Sequence, residues 1–471
     1  MNLTGRHIEL IGIGGCGMSG LARVLQARGA HVSGSDQVGS AITEALERDG
    51  ITVSIEQSIA SLKPETDLVI ATAALPADHP ALATASSRGL EVIRYADALG
   101  RLQEEGFGIS IAGTHGKSTT CAMSCHALLH AGLAPSFVIG AEVPQLGGGS
   151  QVGAAKIPIG PMAGLPGLVV AEACEFNRSF HAHRPKHAAI LNVEEDHLDV
   201  YHNLEGVIQG FAEFAQNIPD AQLGGRLLIA HDGAHRRKVT RSSNARVETF
   251  GLSNEADWSI KFNVDTQEVQ LRGPGSDLRW RNLMPGEHNA LNAGAAAILA
   301  LWAGAEPSLI QEAMTRFNGL ARRTEFVGTR TLNSGNVRVW DDYGHHPTEI
   351  DRTLRALRAS ESPRRLVCVF QPHQHSRTRF LLDEFALSFS AADVVIVPEI
   401  YFVRDSESTQ DLVNQHTLVD RLRARGTNAL AADSLEDTVS RLDTVLCGGD
   451  LLVVMGAGPV GSVGPQWVHS S

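Results

Sequence analysis

Paired cysteines, long apolar runs and runs of like charge are all missing from this chain of 471 residues. Its six cysteines are scattered without a CxxC pair, so we expect reduced thiols and, by default, a cytoplasmic protein. The longest uncharged apolar stretch, roughly residues 293–305, is shorter than the ~17–25 residues that a membrane span requires. The chain opens on a strand-like pattern rather than on a basic segment with an apolar core. The sequence therefore predicts neither a secretory signal nor a membrane anchor.

Positive charge is also scarce, since 40 Lys and Arg face 52 Asp and Glu and leave a formal net charge of -12. A surface of that sign repels nucleic acids and anionic membranes. We therefore expect neither as a partner, and we expect small anionic ligands to bind in focused pockets. The length predicts about two to four domains, and a composition with 43% hydrophobic and 20% charged residues is typical of globular proteins.

Short apolar runs alternate with helical patterns along the whole chain, which predicts an α/β protein of three domains. We place an N-terminal Rossmann-like domain over residues 1–104, a central P-loop α/β domain over 105–321 and a Rossmann-like C-terminal domain over 322–471. Residues 144–167 hold seven glycines and four prolines, which predicts a loop or an irregular hairpin. Brief alternating runs over about residues 220–281 predict a small β-rich insert.

The first glycine-rich turn, residues 12–17, has the pattern G-x-G-x-x-G between a predicted strand and a predicted helix. Asp36 lies 24 residues after its first glycine, where an acidic residue can accept a ribose hydroxyl. Such a turn lets a pyrophosphate approach the backbone amides at a helix N-terminus. The pattern predicts binding of a nucleotide or nucleotide sugar, with a purely structural tight turn as the alternative.

The second glycine-rich turn, residues 113–118, ends in the Gly-Lys-Ser of a P-loop, although Ile111 stands where the strict pattern has glycine. Lys117 can neutralise phosphate oxygens and Ser118 can reach Mg²⁺, so the turn predicts ATP or GTP binding, with an incidental glycine turn as the alternative. A dehydrogenase needs only the first turn and a simple NTPase only the second. Together they predict an enzyme that couples ATP chemistry to a nucleotide-carrying substrate.

Acidic residues and histidines follow the strands of the central domain. Glu172 comes just after a strand, and His197 lies in the acidic stretch 192–199, so both are candidate cation ligands. The alternative interpretation of the same residues is an exposed acidic loop that binds no cation. His181, His183 and His187 lack the ligand set of a zinc site, and we expect them at the surface.

Further polar clusters follow strands or begin helices toward the C-terminus. Asn289 and Asn292 share one helix face and could contact a base or ribose, although Asn289 could instead cap the helix. Residues 322–323 are two arginines that, on charge alone, predict a solvated face. The dense titratable cluster 341–347 follows a strand and predicts active-site material. Arg377 and Arg379 could bind a carboxylate or phosphate.

Taken in order, these motifs resemble those of the Mur ligases of peptidoglycan synthesis, and most closely the members that add L-alanine to UDP-N-acetylmuramate. The matching stretches are residues 12–20, 34–36, 113–118, 192–199, 288–292 and 341–349. The resemblance implies three domains, of which the first binds the uridine nucleotide, the second binds ATP and the third closes over both. It implies UDP-N-acetylmuramate, L-alanine and ATP as small-molecule substrates, Mg²⁺ as cofactor, and a monomer or homodimer.

The resemblance also implies a role for each matching residue. The implied ATP-binding residues are Gly113, Thr114, His115, Gly116, Lys117, Ser118, Thr119, Asn289, Asn292, Arg323 and Asp342. The implied UDP-sugar-binding residues are Gly14, Gly15, Cys16, Gly17, Met18, Ser35, Asp36 and Glu175. The implied amino-acid-binding residues are Tyr343, His345 and Arg377, and the implied metal ligands are Ser118, Glu172 and His197. The implied catalytic residues are Lys117, His197, Arg323, Asp342 and His345, the last as a candidate general base.

Two motifs depart from the family pattern. Cys174, Phe176 and Asn177 replace two carboxylates and a hydroxyl, and Gln374 and His375 replace an arginine and an aromatic residue. These departures leave open a sibling ligase that attaches a peptide, and a catalytically impaired nucleotide-binding relative. An NAD-dependent dehydrogenase is a further alternative, although it would leave the second turn without a role.

Overall fold

In the computed structural model, the described residues are 3–55, 62–72, 75–76, 78–402, 405 and 412–470. Residues Met1–Lys261, Val269–Asn282 and Leu291–Phe317 form one compact unit, and residues Phe262–Glu268, Leu283–Ala290 and Asn318–Ser471 form a second. Three sheets with mostly parallel strands confirm the predicted three-domain α/β fold class. Among the described helices, none combines the length and hydrophobicity that crossing a membrane requires.

The first sheet has five parallel strands in the order β3-β2-β1-β4-β5. Its strands are β1 His7–Ile11, β2 His31–Ser35, β3 Thr52–Ser54, β4 Leu68–Ala71 and β5 Glu91–Arg94. Its helices are α1 Cys16–Ala27, α2 Ala41–Arg48, α3 Pro80–Ser87 and α4 Tyr95–Glu105. Because β1 is buried on both faces, its apolar residues form a nearly continuous run, as is typical of a central parallel strand.

The second sheet has ten strands in the order β15-β14-β13-β12-β11-β10-β6-β9-β7-β8. Its strands are β6 Phe107–Ala112, β7 Ser136–Val138, β8 Ser150–Gln151, β9 Leu168–Glu172, β10 His187–Ile190, β11 Arg226–Ala230, β12 Arg246–Gly251, β13 Trp258–Phe262, β14 Glu268–Gly273 and β15 Ser276–Arg281. The helices of this region are α5 Lys117–His130, α6 Leu198–Tyr201, α7 Leu204–Gln216, α8 Arg236–Thr240, α9 Glu287–Trp302 and α10 Pro307–Arg316.

Two predictions for this region have different outcomes. The glycine- and proline-rich segment 144–167 contains β8, which pairs antiparallel with β7, so the prediction of an irregular hairpin is confirmed. The segment 220–281 is β-rich, as predicted, but it is not a separate insert, because β11 to β15 continue the central sheet. The brief alternating runs arise because strands at this end of a sheet are exposed on one face.

The third sheet has six strands in the order β16-β17-β21-β18-β19-β20, and only β16 is antiparallel to its neighbour among the described pairs. Its strands are β16 Glu325–Leu332, β17 Gly335–Asp342, β18 Leu366–Phe370, β19 Val394–Val397, β20 Asn428–Ala431 and β21 Leu451–Met455. The helices are α11 Pro347–Glu361, α12 His375–Phe380, α13 Leu382–Ser388, α14 Gln415–Ala424, α15 Leu435–Val445 and α16 Val463–His469.

The predicted surface position of three histidines is wrong for two of them. His183 and His187 are buried, and burial lowers the pKa of His183 to about 4 and of His187 to about 3. His183 bonds to Ser110, with 3.0 Å between Nδ1 and Oγ, and His187 packs edge-on against Trp302. Both are neutral core residues, and these contacts lie too far apart in sequence for local patterns to reveal them.

Candidate functional site

The first glycine turn connects β1 to α1 and is shaped by close backbone contacts. Gly12 has a φ of +82°, and a Cβ there would lie 2.6 Å from Thr72 Cγ2, so only glycine fits without strain. No side chain caps α1, and its first turn contains no acidic residue. The N–H groups of this first turn, contributed by Cys16, Gly17 and Met18, are therefore suited to an anion.

Asp36 lies against this turn rather than away from it. Its Oδ2 accepts a hydrogen bond of 2.8 Å from the Gly14 N–H, and its Oδ1 accepts one of 2.8 Å from the Gln37 N–H. A Cβ on Gly14 would lie 2.9 Å from the Asp36 carboxylate, so this glycine makes room for the acid. The neighbouring Ser35 Oγ is buried and forms no hydrogen bond within the described residues. The structure thus brings Gly14, Ser35 and Asp36 together at one turn, as their predicted shared role requires.

The second glycine turn connects β6 to α5, and its lysine folds back over it. Lys117 Nζ donates to the carbonyl oxygens of Gly113, at 2.6 Å, and of Thr114, at 3.0 Å. It also pairs with the buried carboxylate of Glu175, 2.9 Å from Oε2. Burial is the largest single influence and lowers the pKa of Lys117, but the charges of Glu175, Cys174 and Glu172 and the hydrogen bond to Glu175 together outweigh it, so the net pKa is raised. Lys117 is therefore a fixed cation at the turn.

Two other segments of the same unit hold the P-loop in place. Asn192 Oδ1 accepts a bond of 2.7 Å from the His115 N–H, and Asn192 Nδ2 donates to the His115 carbonyl at 3.1 Å. Thr114 Oγ1 accepts a bond of 2.9 Å from the Glu194 N–H. A Cβ on Gly116 would lie 2.5 Å from Asn292 Oδ1, so the predicted ATP ligand Asn292 lies directly against the turn. Asn192 was missed as a functional residue, because its partner is 77 positions away.

A group of cation-binding atoms lies beside Lys117. His197 Nε2 is 3.9 Å from Glu175 Oε1 and 3.8 Å from Asp196 Oδ2, and one ligand atom from each of the three residues lies within 4.8 Å of the others. His197 has a left-handed φ of 52°, which is uncommon outside glycine. One imidazole and two carboxylates are a donor set that a divalent cation accepts. Glu172 lies outside this group, and its Oε2 accepts a bond of 3.0 Å from the Gly140 N–H.

Both carboxylate oxygens of Asp342 accept hydrogen bonds within the second unit. Its Oδ2 accepts bonds from the Thr324 N–H at 2.7 Å and the Thr324 hydroxyl at 3.2 Å, and its Oδ1 accepts one from the Gly344 N–H at 2.7 Å. Burial raises the pKa of the Asp342 carboxyl, and the positive charge of Arg323 opposes this rise. In this structure Asp342 therefore holds the segment that carries Arg323.

The expected solvated face at residues 322–323 is wrong for Arg322, which is half-buried. Arg322 donates to Asp341 Oδ2 at 2.9 Å and to the carbonyl oxygens of Gly456, at 2.7 Å, and Gly458, at 3.1 Å. Arg322 and Thr324 both have left-handed φ values, 58° and 47°, so the segment is strained and these bonds hold it. The pattern of two arginines gives no hint of this, because the partners of Arg322 are up to 136 residues away.

Aromatic rings gather around the cluster that follows β17. Arg323 lies 5.0 Å from the centre of the Tyr343 ring, and that ring is 5.6 Å from the His345 ring. The His345 ring is in turn 5.9 Å from that of His373. Two of the residues predicted to bind the amino acid, Tyr343 and His345, are therefore adjacent. Arg377 lies on α12.

The two asparagines of α9 have separate surroundings. The helix begins at Glu287, so the alternative of Asn289 as its N-cap is wrong. Asn289 is buried, and its Nδ2 donates to the Pro285 carbonyl at 2.8 Å. The predicted contacts of both asparagines with ATP stay predictions.

Three successive parts of the chain match models of one protein family. Residues 7–105 match the family described as Mur ligase family, catalytic domain; residues 111–300 match the Mur ligase middle domain; and residues 322–458 match the Mur ligase, glutamate ligase domain. The UDP-N-acetylmuramate--L-alanine ligase of Desulfitobacterium hafniense is 38% identical over 468 residues, 98% of this chain and 99% of that protein. The enzyme of the same name from Streptomyces avermitilis is 36% identical over 97% of this chain and 96% of that protein.

Solved structures give the same result. The UDP-N-acetylmuramate-alanine ligase of Thermotoga maritima is similar with a TM-score of 0.75 and 25% identity, covering 98% of both chains. A murein peptide ligase of Psychrobacter arcticus shares the fold with a TM-score of 0.71, at 24% identity and 98% coverage of both chains. With two glycine turns, a P-loop lysine and three matching domains, the chain belongs to the Mur ligase family.

Proposed function

We propose that this protein joins L-alanine to the carboxylate of UDP-N-acetylmuramate at the expense of ATP, in the synthesis of peptidoglycan precursors. The observation that carries the proposal is the presence, in one compact unit, of a glycine turn without Lys or Arg at residues 12–17 and a lysine-bearing P-loop at residues 113–118. The first suits a nucleotide diphosphate and the second a nucleoside triphosphate. The relatives that this chain matches over nearly its whole length are named for this reaction.

The chemistry explains why two nucleotides are needed. A carboxylate resists attack by an amine because it is negatively charged and oxide is a very poor leaving group. In the proposed reaction a carboxylate oxygen attacks the γ-phosphorus of ATP, the bond to the β-phosphate oxygen breaks, and ADP and an acyl phosphate form. The alanine nitrogen then attacks the acyl carbon and phosphate leaves. Lys117 would neutralise the charge on the transferred phosphoryl group, since such transfers depend on positioning and electrostatics.

Mg²⁺ would neutralise the phosphate oxygens of ATP when bound. The carboxylates of Glu175 and Asp196 are oxygen donors that suit it. His197 lies beside them and, with Ser118 and Glu172, is a ligand that the family resemblance implies. Glu175 also fixes Lys117, so the same carboxylate would set both the lysine and the cation. This gives Glu175 a role on the ATP side in addition to the sugar contact implied by its motif.

The C-terminal residues would complete the site. Arg323, held by the segment that Asp342 fixes, would approach the ATP phosphates. Tyr343, His345 and Arg377 would bind L-alanine, and His345 would accept the proton that the amine loses, since imidazole titrates near neutral pH. The domains proposed for these tasks are residues 1–104 for the sugar nucleotide, 105–321 for ATP and 322–471 for closure. All six cysteines are free thiols, in keeping with the proposed cytoplasmic location of a monomer or homodimer.

The test is phosphate release from ATP with Mg²⁺ and UDP-N-acetylmuramate, with and without L-alanine, followed by mass analysis of the nucleotide. We expect alanine-dependent release and a mass gain of one alanyl group on the sugar nucleotide. Glycine, L-serine and a short peptide serve as alternative acceptors. Release with the peptide alone would show a peptide-attaching ligase instead. No release with any acceptor would contradict the proposal and identify an impaired nucleotide-binding relative.

A further inference from the structure

Tyr95 occupies a position between the two glycine turns. It is the first residue of α4, directly after β5, and it packs partly buried against the N-terminal core. A Cβ built on Gly17 would lie 2.6 Å from Tyr95 Oη and 2.8 Å from Cζ. The phenol therefore lies against the first turn of α1, and residue 17 must be glycine to leave room for it.

Groups of the ATP-binding region also influence the same phenol. Burial raises the pKa of Tyr95, and Glu172, Cys174, Cys121 and Cys16 raise it further. Glu172 is the last residue of β9, and Cys121 lies on α5, the helix of the P-loop. Because the pKa is raised, the hydroxyl stays protonated at neutral pH and can only act as a neutral hydrogen-bond donor or acceptor there.

The surroundings of Tyr95 hold the ring rigidly. Tyr95 packs against a core cluster that includes residues of both sheets, among them Val138, Val169 and Ala171 of the second sheet. The Arg94 N–H, at the start of α4, donates to Asp97 Oδ2 at 3.0 Å and fixes the first helical turn. A side chain held in this way reaches a ligand with little loss of conformational entropy.

The hydroxyl itself has no hydrogen-bond partner within the described part of the chain. The buried hydroxyl of Tyr201, by contrast, donates to the Glu175 carbonyl at 2.7 Å. The Tyr95 side chain is partly exposed and its hydroxyl makes no such bond within the described residues, so this hydroxyl is suited to a ligand atom. It lies against Gly17, whose N–H is one of the N–H groups of the first turn of α1, and these groups favour anionic oxygen.

We propose that the Tyr95 hydroxyl donates a hydrogen bond to a diphosphate oxygen of UDP-N-acetylmuramate and so fixes the substrate where it leaves the first glycine turn toward the P-loop. This inference rests on the proposed function, since it assigns a further binding residue to the same sugar-nucleotide site. The inference predicts that Tyr95 contributes to the affinity for the diphosphate and not to the affinity for the sugar.

The experiment compares ligand binding to the full-length wild type and Tyr95→Phe by calorimetry. Loss of one hydrogen bond to a charged oxygen weakens binding by about 10- to 100-fold. We expect Tyr95→Phe to weaken UDP and UDP-N-acetylmuramate by the same factor in this range, and to leave ATP affinity within about twofold. Melting temperatures of both proteins establish that the variant is folded. Tyr201→Phe is the matched control, because it removes a phenol hydroxyl from the same unit and should leave UDP affinity unchanged.

Two results would overturn the inference. The first is UDP affinity equal to that of the wild type in Tyr95→Phe, and the second is weakening confined to UDP-N-acetylmuramate, which would place the bond on the sugar. Wild-type protein that binds neither UDP nor UDP-N-acetylmuramate would instead contradict the proposed function. The failures of the two proposals are therefore distinguishable.

Discussion

The two glycine turns of this protein have related shapes and opposite charges. At the first turn the Asp36 carboxylate accepts the Gly14 N–H, and at the second the Lys117 ammonium donates to the Gly113 and Thr114 carbonyls. Each turn thus carries a charged side chain of the protein itself. The first offers a helix N-terminus without a cation, while the second adds a buried lysine and nearby carboxylates. Charge rather than loop shape therefore separates a diphosphate site from a triphosphate site.

Glycine has the same use in both turns. A Cβ on Gly14 would lie 2.9 Å from Asp36 Oδ2, and one on Gly116 would lie 2.5 Å from Asn292 Oδ1. In each case the missing side chain lets a polar group from elsewhere in the chain approach the turn. Gly116 also has a left-handed φ of +82°, which favours glycine, whereas the φ of Gly14 is not left-handed. Gly116 is consequently less tolerant of substitution than Gly14.

The largest effect should come from the charge that distinguishes the turns. Lys117→Ala removes the cation, and loss of one such donor commonly reduces the rate by about 10²–10³. We expect phosphate release to fall by that factor while UDP affinity stays unchanged, measured by coupled phosphate assay and calorimetry. Undiminished phosphate release from Lys117→Ala would mean that the second turn is not the catalytic phosphate site.

A matched pair of glycine substitutions should separate the turns by ligand. Gly116→Ala adds left-handed strain and a clash with Asn292, and we expect ATP affinity to fall by about tenfold or more. Gly14→Ala crowds the side chains of Asp36 and Thr43 without left-handed strain, and we expect a smaller loss, confined to UDP. Titration of both ligands into both variants checks this. If Gly116→Ala weakened UDP as much as ATP, the two turns would not be independent sites.

The smallest effect concerns the strands that lead into the turns. Glu9 and Ser110 both stand three residues before the first glycine of their turn, and both are buried. Burial raises the pKa of Glu9 to about 7, although a bond of 2.5 Å from the Ser33 hydroxyl and the charge of Lys63 oppose the shift. Because the unfolded carboxyl ionises near its ordinary pKa of 4.5, Glu9 lowers stability progressively as pH rises from about 4.5 to 7.

Glu9→Gln should therefore stabilise the protein by about 1–3 kcal/mol at pH 8 and have little effect below pH 4.5. Denaturant unfolding at both pH values measures this difference. The control is Ser110→Ala, whose neutral hydroxyl bonds to Gln103 and His183 and should show no such gain at pH 8. An equal effect of Glu9→Gln at both pH values would exclude ionisation of Glu9 as its cause.

The alternating strand and helix patterns were sufficient to predict the fold class, and both turns were predicted in place. Residues within one motif determine such features, so local sequence contains them. The contacts that shape the site were not predictable in this way. Asn192 accepts a hydrogen bond from the His115 N–H, although the two residues are 77 positions apart. Arg322 donates hydrogen bonds to the carbonyl oxygens of Gly456 and Gly458, which are more than 130 positions away. Only the folded sheets bring these partners together.

The same limit explains the carboxylates near the P-loop. Glu172 is the last residue of β9 and Glu175 lies three residues further on, so the spacing does not show which of them faces the lysine. In the structure Glu175 pairs with Lys117, and Glu172 accepts the Gly140 N–H. Which of the two carboxylates pairs with the lysine therefore depends on side-chain direction at the end of β9, which only the structure reveals.

The most direct test of the proposed ligase reaction follows one oxygen atom. UDP-N-acetylmuramate labelled with ¹⁸O at both carboxylate oxygens is converted with ATP, Mg²⁺ and L-alanine, and the phosphate and the product are weighed by mass spectrometry. If the carboxylate is phosphorylated, the released phosphate carries one ¹⁸O and the new amide keeps the other. Phosphate without the label would contradict an acyl-phosphate route and, with it, the pairing of the two turns in one reaction.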